Sequence, residues 1–181
     1  MSLTFNEKKA TQAAGRLLEH GGRRMPAMKL IRLLYLADRA AILRWGRSIT
    51  TDCFVFLKHG PLLGHVLALV AEGDDPRHEP SFWHSAITRP QDGELGLRAA
   101  LDPQQLSNGE LQLLDEIARL YGAKSSWELA DLTRALPEWR EPPGGALAFG
   151  AQDILAAHEQ AQRHVPAAEG EPEEVYLNFS W

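Results

Sequence analysis

The chain has a single cysteine, Cys53, among its 181 residues. That excludes an internal disulfide framework and any zinc knuckle built from several thiolates. Long apolar runs are missing too, because charge interrupts every hydrophobic stretch well short of the roughly 18 residues that a membrane span needs. The opening MSLTFNEKKATQ has no apolar signal-peptide core, and a soluble, cytoplasmic protein is the expectation. Catalytic signatures are equally scarce. There is no G-x-S-x-G, no Walker lysine loop and no G-x-G-x-x-G. Gly144-Gly145 follows two prolines and reads as a linker. The adjacent carboxylates Asp74-Asp75 and Asp115-Glu116 lie too close in sequence to face one another on a helix, and read as solvated surface. Seven histidines are present, yet no pair shows the i, i+4 spacing with a nearby glutamate that marks a zinc-protease helix. The reading is therefore not an enzyme, with no cofactor and no metal, and with Cys53 as a buried, inert thiol in the strand-like run DCFVF.

What is present suits one globular domain. A hydrophobic fraction of 44% with 24% charged residues is average for a packed soluble fold, at a length that needs no covalent staple. No fixed-period repeat appears. The net charge of −5 is unevenly spread. Residues 1–58 hold eleven Lys/Arg against four Asp/Glu, and 59–181 hold eight against twenty. A basic N-terminal part facing an acidic partner fits that asymmetry.

Periodicity predicts an α+β fold dominated by helices: about six of them around a central apolar helix over 27–44, with a small antiparallel sheet. Thr4 and Glu7 have capping-box spacing ahead of a first helix ending at Gly21-Gly22. Pro26 suits the first turn of the central helix, AMKLIRLLYLADRAAIL, whose apolar residues wrap nearly its whole circumference. Its polarity is confined to a stripe of Lys29, Arg32 and Arg39. DCFVFLK reads as a strand, and His59-Gly60-Pro61 as the corner at which it passes into a helix beginning at Pro61. SFWHSAIT and LGLRAAL, separated by turn formers, read as a hairpin. Ser107 and Ser125 cap two further helices, and AQDILAAHEQAQRH forms the last. The domain is expected over 1–165, followed by an acidic linker over 166–174 and a strand-like tail, VYLNFSW, over 175–181. In that tail Tyr176, Phe179 and Trp181 offer aromatic surface to a partner or to the domain's own sheet.

Three of these segments resemble the Panacea domain of SocA-like antitoxins and phage-associated proteins. MKLIRLLYLAD is similar to that family's helix signature through Lys29, Leu30, Leu33, Leu34, Tyr35, Ala37 and Asp38. GRSITTDCFVFLKHGPLLGHV resembles its second signature through Gly46, Ile49, Thr50, His59, Gly60, Pro61 and Val66. LLDEIARLYGAKSSWELADLTRALPEW resembles the third through Tyr121, Gly122, Ser126, Glu128, Leu129, Leu132, Thr133 and Trp139. The resemblance runs over about residues 5–140. Two departures are Arg134, where the family commonly has histidine, and Leu62, where it commonly has valine.

The resemblance implies a non-enzymatic antitoxin that neutralises a cognate toxin, encoded by an adjacent gene, by direct contact. Partner contact falls on Lys29, Arg32, Arg39, His59 and the tail aromatics. Leu33, Tyr35, Asp38, Gly60, Pro61, Tyr121 and Trp139 carry structural roles. Two other readings stand beside it. One is a nucleic-acid-binding regulator of its own operon using Arg23, Arg24, Lys29, Arg32 and Arg39, although a pI near 5.8 is low for one. The other is a hydrolase using His59 and His65.

Overall fold

A computed structural model of the protein describes residues 4–72, 81–88 and 91–163. The acidic linker and the aromatic tail with Tyr176, Phe179 and Trp181 lie outside the described residues. The elements run α1 (Glu7–His20), β1 (Arg24–Pro26), α2 (Ala27–Trp45), β2 (Phe54–Leu57), β3 (Gly60–Leu63), α3 (Gly64–Glu72), α4 (Phe82–Ala86), β4 (Glu94–Gly96), α5 (Asn108–Tyr121), α6 (Ser126–Arg134), β5 (Leu147–Phe149) and α7 (Ala151–Arg163). The expected helix-dominated α+β class holds, with seven helices among the described residues.

The centre of the molecule is α2. Every residue from Leu30 to Ile42 is buried on it, so the all-round apolar pattern marks a helix enclosed by α1, α5, α6, α7 and β3. It starts directly after Pro26 and stops where Gly46 turns left-handed at φ 71°, a conformation glycine adopts without steric cost. Leu33, 1% exposed, is one of its core side chains.

Two small antiparallel sheets replace the single one expected: β1 pairs with β4, and β2 is central in the order β3-β2-β5. The His59-Gly60-Pro61 corner is also different. Leu57 pairs with Gly60 across a two-residue turn of Lys58 and His59, and Pro61 lies within β3 rather than opening a helix. The helix begins only at Gly64. Pairing of four residues on each strand outweighs the helix-starting preference of proline here. Gly60 is required at this turn. Its φ is +112°, and a Cβ would come within 2.7 Å of Thr133 Oγ1 on α6.

Long-range partners overturn two more local expectations. Asn6, not Thr4, caps α1 by accepting from Lys9 N, while Glu7 Oε1 accepts from Trp83 N on α4 at 2.8 Å. The first arm of the expected 81–101 hairpin is the short helix α4, capped by Ser81, so that hairpin survives only as the bridge Ile87↔Leu97 and the turn Gln91↔Glu94. The capping boxes at Ser107–Glu110 and Ser125–Glu128 form as their spacing predicts. Strand β5 carries no apolar alternation of note. It is held by ladder bonds to β2 and by Phe149, stacked on Phe56 at 3.7 Å between ring centroids.

Candidate partner-binding face

The three cations of α2 meet three different fates. Arg39, 4% exposed, donates from Nε and Nη2 to the two oxygens of Glu138, at 2.6 and 3.1 Å. The Tyr35 hydroxyl donates to the same Glu138 Oε1 at 2.7 Å. Burial, then the Glu138 carboxylate, push the Tyr35 phenol well above its ordinary value, which keeps the hydroxyl protonated to donate to Glu138. Lys29, half-buried, donates to the Gly122 carbonyl at the end of α5, at 2.6 Å, a favourable position for a cation. The expected basic stripe is thus not an exposed one: two of its members are interior.

Arg32 is as buried as Arg39, at 4% exposure, but has no carboxylate partner among the described residues. Its Nη2 donates to the His59 carbonyl at 3.2 Å and its Nη1 to the Met28 carbonyl at 3.4 Å, while Nε has no hydrogen-bond partner among the described residues. Burial, and next the positive charge of Arg134, hold its pKa below the ordinary arginine value. A desolvated guanidinium next to a second cation is an electrostatic position that an added carboxylate would relieve.

Above Arg32 lies an exposed rim. The β2–β3 turn presents Lys58 and His59, and α6 packs its Thr133 and the stem of Arg134 against Gly60 of that turn. His59 stands edge-on to Trp127 at 6.0 Å between centroids. Trp127 is 72% exposed, far more than an indole needed for packing. It is the His59 carbonyl, not the ring, that bonds the central helix. Arg134, the departure from the family pattern, sits in this rim and pairs with Asp131 on its own helix.

At the opposite end of the hairpin two aspartates organise the backbone. Asp38 on α2 is buried and accepts from Ile49 N, Thr50 N and Thr50 Oγ1. Burial raises its carboxyl to about 6 despite those bonds. Asp52 caps α3, accepting from His65 N at 2.8 Å and Val66 N at 3.0 Å. His65 Nδ1 lies 2.8 Å from Asp52 Oδ1 and 3.4 Å from Cys53 Sγ. Cys53 is exposed rather than buried, because strand β2 begins only at Phe54. Burial and then the Asp52 carboxylate push its thiol pKa up. Thiol and carboxylate both address the same imidazole nitrogen, so the group cannot run the nucleophile–base–orienter relay of a cysteine hydrolase.

His59 and His65 are not brought together. They occupy the turn and the far end of the hairpin, with the whole length of β3 between them. Of the five basic residues a nucleic-acid reading needs, Arg32 and Arg39 are interior and only Arg23 and Arg24 are exposed. Tyr121 is buried, and Trp139 is half-buried with its indole N–H unpartnered among the described residues. A groove between α1 and α5 is lined by His20 and Asp115 among others, and that aspartate is already engaged by His20 and by Arg16. Sequence reasoning missed Trp127, Glu138 and Asp52. The only signal for Trp127 was a large aromatic on the second residue of a capped helix, where no core-facing periodicity called for it.

The fold is a helix-dominated α+β domain built on a buried central helix, with an exposed aromatic and cationic rim at the β2–β3 turn and α6. The profile of the SocA-like antitoxin family, Panacea domain, matches residues 30–140. The chain belongs to that family. No curated protein and no solved structure matches it. The match runs from Leu30 within α2 to Arg140, shorter at its start than the expected reach from about residue 5; it includes the hairpin, Arg32 and α6 and leaves α1, Lys29 and α7 outside. In the described residues no helix is long and apolar enough to cross a membrane.

Proposed function

We propose that this protein is an antitoxin that neutralises its cognate toxin by direct contact, and that the contact face is the β2–β3 turn together with α6. The observation that carries the reading is Arg32, a buried guanidinium lacking a carboxylate beneath the exposed Trp127 and His59. Buried aromatics and arginines dominate the energetics of protein interfaces. An acidic side chain of the toxin would meet Arg134 and Lys58 at the rim, drawn also by the buried charge of Arg32 beneath, while an apolar residue covers Trp127. Family membership supports the partner being a toxin, encoded by a neighbouring gene. Lys29 lies at the edge of this face, whereas Arg39 belongs to the interior.

The test is co-expression of the chain with the product of the adjacent open reading frame. The neighbour is expected to arrest growth alone, to be silenced by the intact protein, and to co-purify with it. Trp127→Ala and Arg32→Gln should each restore toxicity while the variants remain folded by circular dichroism. Rescue unaffected by either substitution would place the interface elsewhere. A neighbour harmless on its own would remove the antitoxin reading, and salt-sensitive binding to duplex DNA would turn attention to Arg23 and Arg24.

A further inference from the structure

Asp52, Cys53 and His65 gather three different metal-ligating atoms at one point: the carboxylate oxygen, the sulfur and Nδ1 all lie within 4.8 Å of one another. The group has no part in the partner-binding face. It sits at the other end of the hairpin, where the chain enters β2 and α3 begins.

Without an ion, His65 Nδ1–H and the Cys53 thiol can both donate to the Asp52 carboxylate and hold the group together. His65 Nδ1 has one in-plane site, and both Asp52 Oδ1 at 2.8 Å and Cys53 Sγ at 3.4 Å are directed to it. The same three atoms lie close enough together to share one cation. Tetrahedral zinc, with a Zn–N bond of about 2.0 Å and a Zn–S bond of about 2.3 Å, sets its N and S ligands about 3.5 Å apart. The observed sulfur–nitrogen separation matches that, and the carboxylate would need to retreat by about half an ångström to match the N···O spacing.

The surroundings already have the character of a supporting shell. The second Asp52 oxygen is held by Val66 N, its first also accepts from His65 N, and the His65 ring is stacked on Phe5 at 4.7 Å and 9°. Such contacts fix ligand orientation. Cys53 and His65 are both exposed, so an ion has a path in.

We infer that Asp52, Cys53 and His65 form a binding site for a single zinc-type divalent ion, with a fourth position open to water or to a partner's side chain. On binding, the Cys53 thiol releases its proton to solvent, and the His65 proton is carried on Nε2 so that Nδ1 can ligate. The mixture of sulfur, imidazole and one carboxylate selects a borderline-soft ion over magnesium or calcium. The ion would tie the start of β2 to the first turn of α3.

Cobalt(II) titration of the purified, reduced full chain tests this directly, because Cys53 is its sole sulfur ligand of the thiol type. The expected result is one equivalent bound, with an intense near-ultraviolet sulfur-to-cobalt charge-transfer band that zinc abolishes, and a rise in melting temperature with zinc. Cys53→Ser should remove the band. His65→Ala should weaken binding by more than about tenfold, as expected for a ligand when outer-shell changes alone cost that much. Absence of the band at excess cobalt would overturn the inference, as would a band and affinity unchanged in His65→Ala. Neither outcome bears on toxin rescue, which is read at the other end of the hairpin.

Discussion

Arg39 and Arg32 stand seven residues apart on one helix and are equally buried, yet the protein treats them in opposite ways. Arg39 has a bidentate carboxylate, and that carboxylate has a further tyrosine donor. Arg32 has two carbonyls and an idle Nε. The first arrangement closes on itself and ties α2 to the segment after α6, so it offers nothing to a partner. The second leaves a buried positive charge with no carboxylate partner among the described residues, beneath the exposed rim of the β2–β3 turn and α6. Burial alone therefore does not say whether a cation is neutralised within the fold; the presence of a carboxylate does.

Breaking the Arg39 side of this comparison should have the largest effect. Glu138→Ala makes Arg39 resemble Arg32 and is expected to destabilise by about 3–5 kcal/mol, read by urea unfolding. Retention of full stability would show that the pair is not formed in solution.

Asp38 offers a third treatment of buried charge, by hydrogen bonds alone, and it predicts a pH dependence. Its folded-state pKa of about 6 lies above the ordinary 3.8, so the folded state binds the extra proton. Its contribution is greatest below pH 4 and is lost as pH rises through 6, a change on the order of 3 kcal/mol. Unfolding free energies of the intact protein and of Asp38→Asn, measured from pH 4 to 7, should differ by this falling component. Parallel curves would show that the Thr50 and Ile49 donors fully offset desolvation.

Gly60→Ala strains the turn whose preceding carbonyl Arg32 uses. The left-handed φ and the 2.7 Å approach to Thr133 Oγ1 give an expected loss of about 1–3 kcal/mol in thermal or urea melts. A thermoneutral variant would mean that the hairpin and α6 separate easily.

The smallest stability effects belong to the proposed face, and they sharpen the comparison. Arg32→Met should stay within about 1 kcal/mol of the parent or exceed it, since no carboxylate is orphaned. Trp127→Ala should stay within about 0.5 kcal/mol, while toxin affinity, measured by calorimetry, falls by about 2 kcal/mol or more. Large destabilisation by either would reassign the residue to the core.

Much of the scaffold could be read from residue order. The enclosure of α2, the caps at Ser107 and Ser125 and the glycine stop at Gly46 each depend on neighbours within a turn or two. Segments governed by distant partners were less legible. Glu7 abandons a local capping box for Trp83 on α4, and Pro61 joins a strand because Phe56 lies opposite it. The candidate site was half visible: His59, Gly60 and Arg32 stood out in sequence, whereas Trp127 had no periodic role to betray it and Glu138 no visible tie to Arg39, 99 residues away.

By itself, then, the sequence determined a helix too apolar to lie anywhere but inside, the capped helices around it and its membership of an antitoxin family, because these rest on short-range spacing. Only the tertiary structure decided which cations are spent and which is left over. That outcome depends on which carboxylate arrives from elsewhere in the chain, and Coulomb attraction in a buried site is decided by position in space, not by position in sequence.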